Sequence, residues 1–172
     1  FNALKSKEDH WKCRDKVSYP IGKDLLDVAS YPAKEMVWSV GGDALNEATI
    51  ITRLGHKVKL ISCFGDDMIG SMIMEHCKKN NIDTAHIKQD KEKVTGINIG
   101  LICEDGERTF INNRSGSIWT FSPEDVDLDA VNGAGILSFA SIFNNPQLDQ
   151  SLMLPLFKKA KEQNMMICVD MV

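Results

Sequence analysis

The stretch Gly41-Gly42-Asp43-Ala44-Leu45-Asn46-Glu47-Ala48 decides the fold, because the hydrophobic period of the chain changes there. Residues 35–40 before it are predicted to form a strand, which the two glycines break. Apolar side chains then recur at close to helical spacing from Ala44 to Leu54, and Gly55 ends that helix. A strand that turns through two glycines into a helix begins a β-turn-α unit.

The same turn carries groups that suit a ligand. Paired glycines let a ligand lie against bare backbone, and Asn46 offers both a donor and an acceptor to a pair of hydroxyl groups. A Gly-Gly turn is also common as a plain connection between a strand and a helix, without any ligand. Taken alone, the turn leaves both interpretations open.

A second unit of the same kind follows. Residues 58–64 are predicted as a strand buried on both faces, residues 69–79 as a helix and residues 82–87 as a short strand. Asp66 and Asp67 stand between the first of these strands and the helix. We interpret this pair as helix-capping, although paired acids also leave metal binding open.

A β-hairpin is predicted between Thr95 and Asn113. Two β-rich runs, residues 96–103 and 108–112, flank a turn that contains Asp105-Gly106, and Asp-Gly is a strong local hairpin signal. An isolated two-stranded hairpin with this many apolar side chains would be only marginally stable in water. We therefore predict that another segment or molecule covers one face of the hairpin. Its apolar residues are Ile97, Ile99, Leu101, Phe110 and Ile111.

The rest of the chain continues the alternation. Ser122-Pro123 is typical of a helix start, with Ser as the N-cap and Pro in the first helical position. Strands are predicted over residues 134–140 and 165–169, joined by a helix over residues 148–163. Asp170 follows the last strand, at the edge where α/β proteins bind ligands. Strands that alternate with helices predict an α/β fold with a parallel sheet.

Composition favours a small-molecule ligand. The chain has 172 residues, of which 43% are hydrophobic, so it can bury one sizeable core. A net charge of −4 argues against a nucleic-acid partner. The chain contains no run of about 20 apolar residues and no signal-peptide pattern, which predicts a cytoplasmic protein without a membrane partner. Its five cysteines form no Cys-x-x-Cys pair, so neither a zinc site nor a disulfide framework is expected.

The glycines beyond the turn complete a longer motif. The motif reads Gly-Gly, a short gap, Asn, a small residue, then Gly after a helix and Gly after a strand. In this arrangement the sequence resembles the ribokinase-like (PfkB) carbohydrate kinases. The matching positions are Gly41, Gly42, Asn46, Ala48, Gly55 and Gly65. Thr95-Gly96 and the terminal strand also follow the order of that family, so the resemblance covers residues 31–172.

The resemblance implies a three-layer, Rossmann-like α/β core with a small β lid. It also implies a kinase that moves the γ-phosphoryl group of ATP to a sugar hydroxyl, with Mg²⁺. Gly41, Gly42 and Asn46 would then line the sugar pocket. Arg114 and Ser141 fall where some relatives contact the substrate, although a solvated surface arginine is an equally good interpretation of Arg114.

The predicted organisation is a ribokinase-like domain over residues 33–172, after an irregular segment of residues 1–32. Residues 20–40 and 95–113 are expected to supply the lid, which closes over the sugar and excludes water. Because relatives often pair two lids across a two-fold axis, the resemblance also implies a homodimer through the hairpin.

Three departures from the family pattern predict that this chain is an incomplete stretch of the enzyme. No strand with a sugar-clamping Asp precedes Gly41, Val172 stands where relatives carry Asn, and the Gly-rich loop with the catalytic Asp is absent. The chain alone is therefore expected to be inactive, without catalytic residues or a nucleotide site. The alternative is a non-catalytic sugar-binding or dimerisation module. A dinucleotide-binding domain is a third option, but the sequence lacks Gly-x-Gly-x-x-Gly.

Overall fold

The computed structural model describes residues 35–102, 106, 108–142, 145, 147 and 150–171. The predicted irregular segment and the part of the predicted lid before residue 35 lie outside these residues. The described chain divides into two compact units. The smaller contains residues 35–39 and the segment 98–112, and the larger contains the remaining described residues from Val40 onwards.

Helices and short strands alternate along the described chain. In chain order the elements are α1 (Asp43–Arg53), β1 (Ser62–Gly65), α2 (Met68–Lys79), β2 (Ile87–Asp90), β3 (Asn98–Ile102), β4 (Arg108–Asn112), α3 (Ser117–Thr120), two 3₁₀ turns (Pro123–Asp125 and Leu128–Val131), β5 (Ile136–Phe139), α4 (Gln150–Glu162) and β6 (Met166–Val169). None of the helices in the described residues is long and apolar enough to cross a membrane.

Both strand pairs of the larger unit are parallel, and each is joined by a helix. β1 pairs with β2, with Ser62 opposite Ile87, and α2 connects them. β5 pairs with β6, with Ile136 opposite Met166, and α4 connects them. Parallel neighbours need a crossover of this kind. The prediction of an α/β fold with parallel strands is confirmed at this level.

Two apolar clusters lie inside the larger unit. α1 joins the first cluster because Leu45 and Ala48 repeat at helical spacing on one face. Cys77 of α2 is fully buried there, and burial raises the pKa of its thiol. The first cluster comprises Leu45, Ala48, Leu60, Cys77 and Ile82, and the second comprises Val131, Leu137, Leu156, Ala160 and Met165.

The smaller unit contains the predicted hairpin. β3 and β4 pair antiparallel, with Ile99 opposite Ile111 and Gly100 opposite Phe110. Gly106 in the connecting turn has a φ of 89°, a conformation that favours glycine. Because side chains alternate between the faces of a strand, Ile99 and Phe110 lie on opposite faces, and they are 54% and 57% exposed.

The predicted strand over residues 35–40 is wrong. Residues 35–42 form neither strand nor helix. Met36, Val37 and Trp38 are 74%, 79% and 77% exposed. A strand is stabilised by a hydrogen-bonded neighbour, and the described residues include no strand paired with this segment, so its β propensity is not realised.

Other element boundaries differ from the prediction by a few residues. The strand predicted over residues 58–64 begins only at Ser62, and Lys59 forms an isolated parallel bridge with Asp83. The strand predicted over residues 82–87 instead covers Ile87–Asp90. The helix start at Ser122 is confirmed, with a full capping box, but it leads into a three-residue 3₁₀ turn.

Candidate functional site

The two glycines of the motif lie at the N-terminus of α1. Gly42 precedes the helix with φ 106° and ψ 135°, a backbone conformation that favours glycine. Among the described residues, the space beside both glycines is open, because a Cβ atom on Gly41 or Gly42 would meet none of their atoms within 4 Å. A ligand can therefore approach the backbone at this point.

Asn46 lies one turn into α1 and is exposed. Its backbone N–H donates to the Gly42 carbonyl oxygen at 2.9 Å. Residues four apart share one face of a helix, so the Asn46 side chain is on the face that continues from Gly42. Its amide supplies a donor and an acceptor next to the open glycine backbone.

Ser141 joins this group from the end of β5. It is 7% exposed, and its hydroxyl donates to the carboxylate of Asp43, the first residue of α1. The φ of Ser141 is 52°, in the left-handed region, where non-glycine residues are strained and which is enriched at functional sites. The carboxyl end of β5 thus meets the N-terminus of α1.

Further contacts fix the same edge. The Ser138 hydroxyl on β5 donates to the Glu47 carboxylate on α1 at 2.7 Å. The backbone N–H of Asp170, just after β6, donates to the Phe139 carbonyl oxygen at 3.0 Å, and its carbonyl oxygen accepts from Ile142 at 3.0 Å. The carboxyl ends of β5 and β6 are therefore tied together beside Ser141, at the edge where open α/β sheets bind ligands.

Arg114 does not join this group. It is exposed, and its guanidinium carbon lies 5.2 Å from the ring centroid of Trp119, a cation–π arrangement. Within the described part of the chain, no hydrogen bond or ion pair links Arg114 to α1 or β5. The structure brings Ser141 to the Gly-Gly turn and shows no such contact for Arg114.

A hydrogen-bond network around the buried Thr95, at the end of β1, confirms the capping role of Asp67. Its carboxylate accepts from the Gly70 N–H at 2.8 Å and caps α2. Thr95, only 1% exposed, donates its N–H and its hydroxyl to the same carboxylate at 2.9 and 2.7 Å, and it accepts from the Gly65 N–H at 3.0 Å. Burial opposes ionisation of Asp67, but these donors outweigh it and lower its pKa.

A second buried cluster has no counterpart in the sequence analysis. Asp125 is 4% exposed, and its carboxylate accepts from Lys88 at 2.8 Å and from Lys93. Cys63 and Asp90 place ligand-type atoms within 4.8 Å of it. Burial, and then the nearby Asp125 carboxylate, raise the pKa of Cys63 to about 11, so its thiol stays protonated. Because ammonium groups hold both Asp125 oxygens, this is an ion-pair network and fits a metal poorly.

A shallow groove of about 260 Å³ lies between residues 85–88 and 124–127. His86 and Asp127 line it and form a 2.8 Å bond between Nδ1 and Oδ2. None of the predicted sugar-contacting residues borders this groove. The candidate sugar site at the start of α1 is therefore separate from this groove.

Together, these features define a class of protein. Two parallel strand–helix–strand units define an α/β protein, and the Gly-Gly start of α1 lies at the carboxyl end of β5. Open α/β sheets commonly bind ligands at this edge. The profile of the pfkB family carbohydrate kinases matches residues 16–172. The chain belongs to this family, and the predicted family is confirmed.

Individual relatives agree with this assignment. The chain is 30% identical over 121 residues to an uncharacterized sugar kinase of Pyrococcus horikoshii, covering 70% of this chain and 39% of the relative. The solved structure of that protein superposes with a TM-score of 0.63, over 75% of this chain and 44% of the other.

Two further relatives have more specific names. A fructokinase of Solanum tuberosum is 30% identical over 131 residues, or 76% of this chain and 41% of the relative. A 2-dehydro-3-deoxygluconokinase of Haemophilus influenzae is 28% identical over 115 residues, or 64% of this chain and 37% of the relative. The chain thus spans about two fifths of the length of the curated relatives it matches.

Proposed function

We propose that the full-length gene product containing this sequence is a kinase that transfers the γ-phosphoryl group of ATP to a hydroxyl of a sugar. Membership of the pfkB family supports the reaction class. The Pyrococcus horikoshii relative has been solved in complex with ATP. The observation that carries the proposal is the contact of Ser141, at the carboxyl ends of β5 and β6, with Asp43, which directly follows the Gly41-Gly42 turn.

In the proposed site, the sugar lies against the backbone of Gly41 and Gly42, where no Cβ atom blocks its approach. The Asn46 amide pairs with two sugar hydroxyls, and the Ser141 hydroxyl, oriented by Asp43, contacts a third. These groups, held in fixed positions, would orient the sugar hydroxyl that accepts the phosphoryl group. Positioning of this kind is a main contribution of an enzyme to phosphoryl transfer.

Mg²⁺ is proposed as the cofactor, since it neutralises developing charge on the phosphates when bound. It prefers an octahedral set of oxygen ligands. The cluster of Cys63, Asp90 and Asp125 does not fit it, because Lys88 and Lys93 already hold the Asp125 carboxylate. We assign no magnesium ligand and no nucleotide contact to the described residues.

The hairpin of β3 and β4 is proposed as part of the lid, together with the other residues of segments 95–113 and 20–40. The domain is proposed to comprise residues 33–172, with a three-layer core. A lid protects the transferring phosphoryl group from water, which competes with the sugar. The exposed apolar side chains on both hairpin faces support the idea that this segment contacts something else.

The proposed reaction is tested by ATP consumption with Mg²⁺ against pentoses, hexoses, amino sugars, nucleosides and sugar acids. We expect the full-length gene product to phosphorylate at least one of them. The prediction that residues 1–172 alone give no turnover is checked in the same assay. Sugar binding without turnover by the full-length protein would favour the non-catalytic module instead.

Replacement of Asn46 by Ala is expected to weaken sugar binding by about 1 to 3 kcal/mol, because the bound sugar hydroxyls would be left without the hydrogen-bond partner that the Asn46 amide provides. ATP binding should change much less. Isothermal titration calorimetry of both ligands measures this. Ile50→Ala is the matched control, since Ile50 is exposed one turn further along the same helix. Equal losses for sugar and ATP would show that Asn46 only supports its helix.

The full-length protein is also proposed to be a homodimer through the hairpin. Ile99→Asp and Phe110→Asp place a charge on opposite hairpin faces, and at least one should shift the mass measured by light scattering towards the monomer. Met72→Asp, at a 45% exposed position on α2, controls for added surface charge. If both hairpin variants stay folded and dimeric, the hairpin is not the interface.

A further inference from the structure

We propose that Asn113 is a positioning residue for the lid, because its side chain holds together the two chain segments that enter and leave the hairpin. The inference rests on the proposed sugar kinase function and deepens it. The entering segment, residues 94–97, leads into β3, and the leaving segment, residues 113–117, follows β4. Both segments belong to the larger unit, and together we call them the hairpin root.

Asn113 contacts the entering segment through three hydrogen bonds. Its backbone N–H donates to the Ile97 carbonyl oxygen at 3.3 Å. Its side-chain Oδ1 accepts from the Ile97 N–H at 2.7 Å, and its Nδ2 donates to the Thr95 carbonyl oxygen at 3.2 Å. The ladder between β3 and β4 ends one residue earlier, at Asn98 opposite Asn112. The Asn113 side chain therefore supplies hydrogen bonds of the kind that a further residue of the ladder would supply.

Glycines let the two segments of the hairpin root approach closely. The Gly116 N–H donates to the Asn113 carbonyl oxygen at 2.9 Å, so the leaving segment turns directly after Asn113. A Cβ atom on Gly116 would lie 2.6 Å from Asn113 Oδ1 and 2.8 Å from the Cα atom of Gly96. Ser117 is 3% exposed, its hydroxyl accepts from the Gly96 N–H at 3.1 Å, and its N–H donates to the Val94 carbonyl oxygen at 2.7 Å. The Asn113 amide is thus enclosed by a closely packed root.

Thr95 joins the hairpin root to the rest of the larger unit. Its N–H and its hydroxyl donate to the Asp67 carboxylate at the start of α2. The same hydroxyl accepts from the Gly65 N–H at the end of β1. Because Thr95 is 1% exposed and its polar groups have partners, this network favours a single arrangement. Only Thr95 therefore separates the Asn113 amide from the end of β1 and the start of α2.

A lid that closes in one position needs a fixed root. Lid closure commonly depends on a few residues at the ends of elements, which absorb the change in backbone angles. The boundary between the two compact units falls between Ile97 and Asn98 and between Asn112 and Asn113, next to the root. Without the Asn113 side chain, the Ile97 N–H and the Thr95 carbonyl oxygen would lose the partner that it provides. The closed lid would then be less well defined, and water would reach the transferring phosphoryl group more often.

The test measures how completely the full-length protein couples ATP consumption to sugar phosphorylation. The substrate is the sugar of the panel above that gives the highest kcat/KM, and D-fructose and D-ribose are tried first. Asn113→Ala should lower kcat/KM for this sugar at least about tenfold, while the KM for ATP changes less than about twofold. The uncoupling ratio, defined as excess ADP per molecule of sugar phosphate formed, should rise at least about fivefold.

Asn80→Ala is the matched control. The Asn80 amide also donates to a backbone carbonyl oxygen, that of His76 at 2.9 Å, but it does so at the end of α2. This variant should lose some stability in urea denaturation and keep the uncoupling ratio of the natural protein. If Asn113→Ala also lost stability but kept the natural sugar KM and uncoupling ratio, Asn113 would have only a structural role and the inference would be overturned.

Asn113→Asp repeats the comparison if Asn113→Ala does not fold, since it keeps the acceptor for Ile97 and removes the donation to Thr95. Hydrogen exchange of the natural protein, followed by NMR, needs no variant. The amides of residues 96 and 97 should exchange equally slowly with and without the sugar, and those of the hairpin should slow when it is added. Slowing of both to the same degree would contradict a fixed root. No turnover of any sugar by the folded natural protein would overturn the proposed function itself, and with it this inference.

Discussion

We expect that replacement of Asp125 by Asn lowers the free energy of unfolding by about 2 to 4 kcal/mol. Asp125 is 4% exposed, and its carboxylate accepts from Lys88, Lys93 and the backbone N–H of Ser122. Asn has nearly the same shape but no charge. Two ammonium groups would then lose the anion that compensates them, and one of them, Lys93, has a side chain that is only 18% exposed.

Asp129→Asn is the matched control. Asp129 also pairs with a lysine, Lys159, at 2.5 Å, but its side chain is 75% exposed. Ion pairs in water contribute at most about 1 kcal/mol, so this variant should change stability by less than that. Urea denaturation followed by circular dichroism compares the two variants. Equal changes would show that the Asp125 cluster is no more costly to break than a surface pair.

The effect of Asp125→Asn should depend on pH. Burial opposes ionisation of Asp125, but hydrogen bonds from Lys88 and Lys93 outweigh it and lower its pKa to about 2. The folded pKa is below that of the unfolded chain, so ionised Asp125 stabilises the fold fully above about pH 4. This contribution is lost as the pH falls towards 2. The stability difference between the natural protein and the variant should therefore shrink between pH 7 and pH 2.5.

Features governed by local rules could be predicted from the sequence. The Gly-Gly start of α1, the cap at Asp67 and the hairpin turn at Gly106 each depend on a few neighbouring residues whose backbone preferences are known. Helix α4 was predicted within two residues at its N-terminus, at Gln150. These elements are stabilised by the same residues that signal them.

Contacts between distant residues could not be predicted in this way. Asp125 pairs with Lys93 across 32 positions, and Asp43 meets Ser141 across 98. Ser141 was proposed only through the family resemblance, and its partner Asp43 was not proposed at all. The strand expected at residues 35–40 fails for a related reason, because β structure depends on a partner strand that local pattern does not reveal.

Gly70→Ala is the second large effect, and its expected sign opposes helix propensity. Gly70 is the third residue of α2, where Ala would by itself stabilise the helix by about 1 kcal/mol. A Cβ atom there would lie 2.1 Å from the Gly65 carbonyl oxygen and 3.0 Å from Cδ2 of Phe64. The oxygen belongs to the backbone of β1, so the start of α2 must move. We expect a net loss of about 3 kcal/mol in the free energy of unfolding.

The reason for so large a loss is the network that such a movement would break. The N–H of Gly70 donates to the Asp67 carboxylate, which also accepts from the Thr95 hydroxyl. That hydroxyl in turn accepts from the N–H of Gly65 at the end of β1. Gly135→Ala controls for the change in unfolded-chain entropy, since a Cβ atom at Gly135 would meet no atom of the described residues within 4 Å. That variant should be neutral or stabilised by up to about 1 kcal/mol, as measured by urea denaturation. If Gly70→Ala were as stable as Gly135→Ala, α2 would be able to move away from β1 at little cost. Close packing at Gly70 would then not be what fixes the helix against the strand.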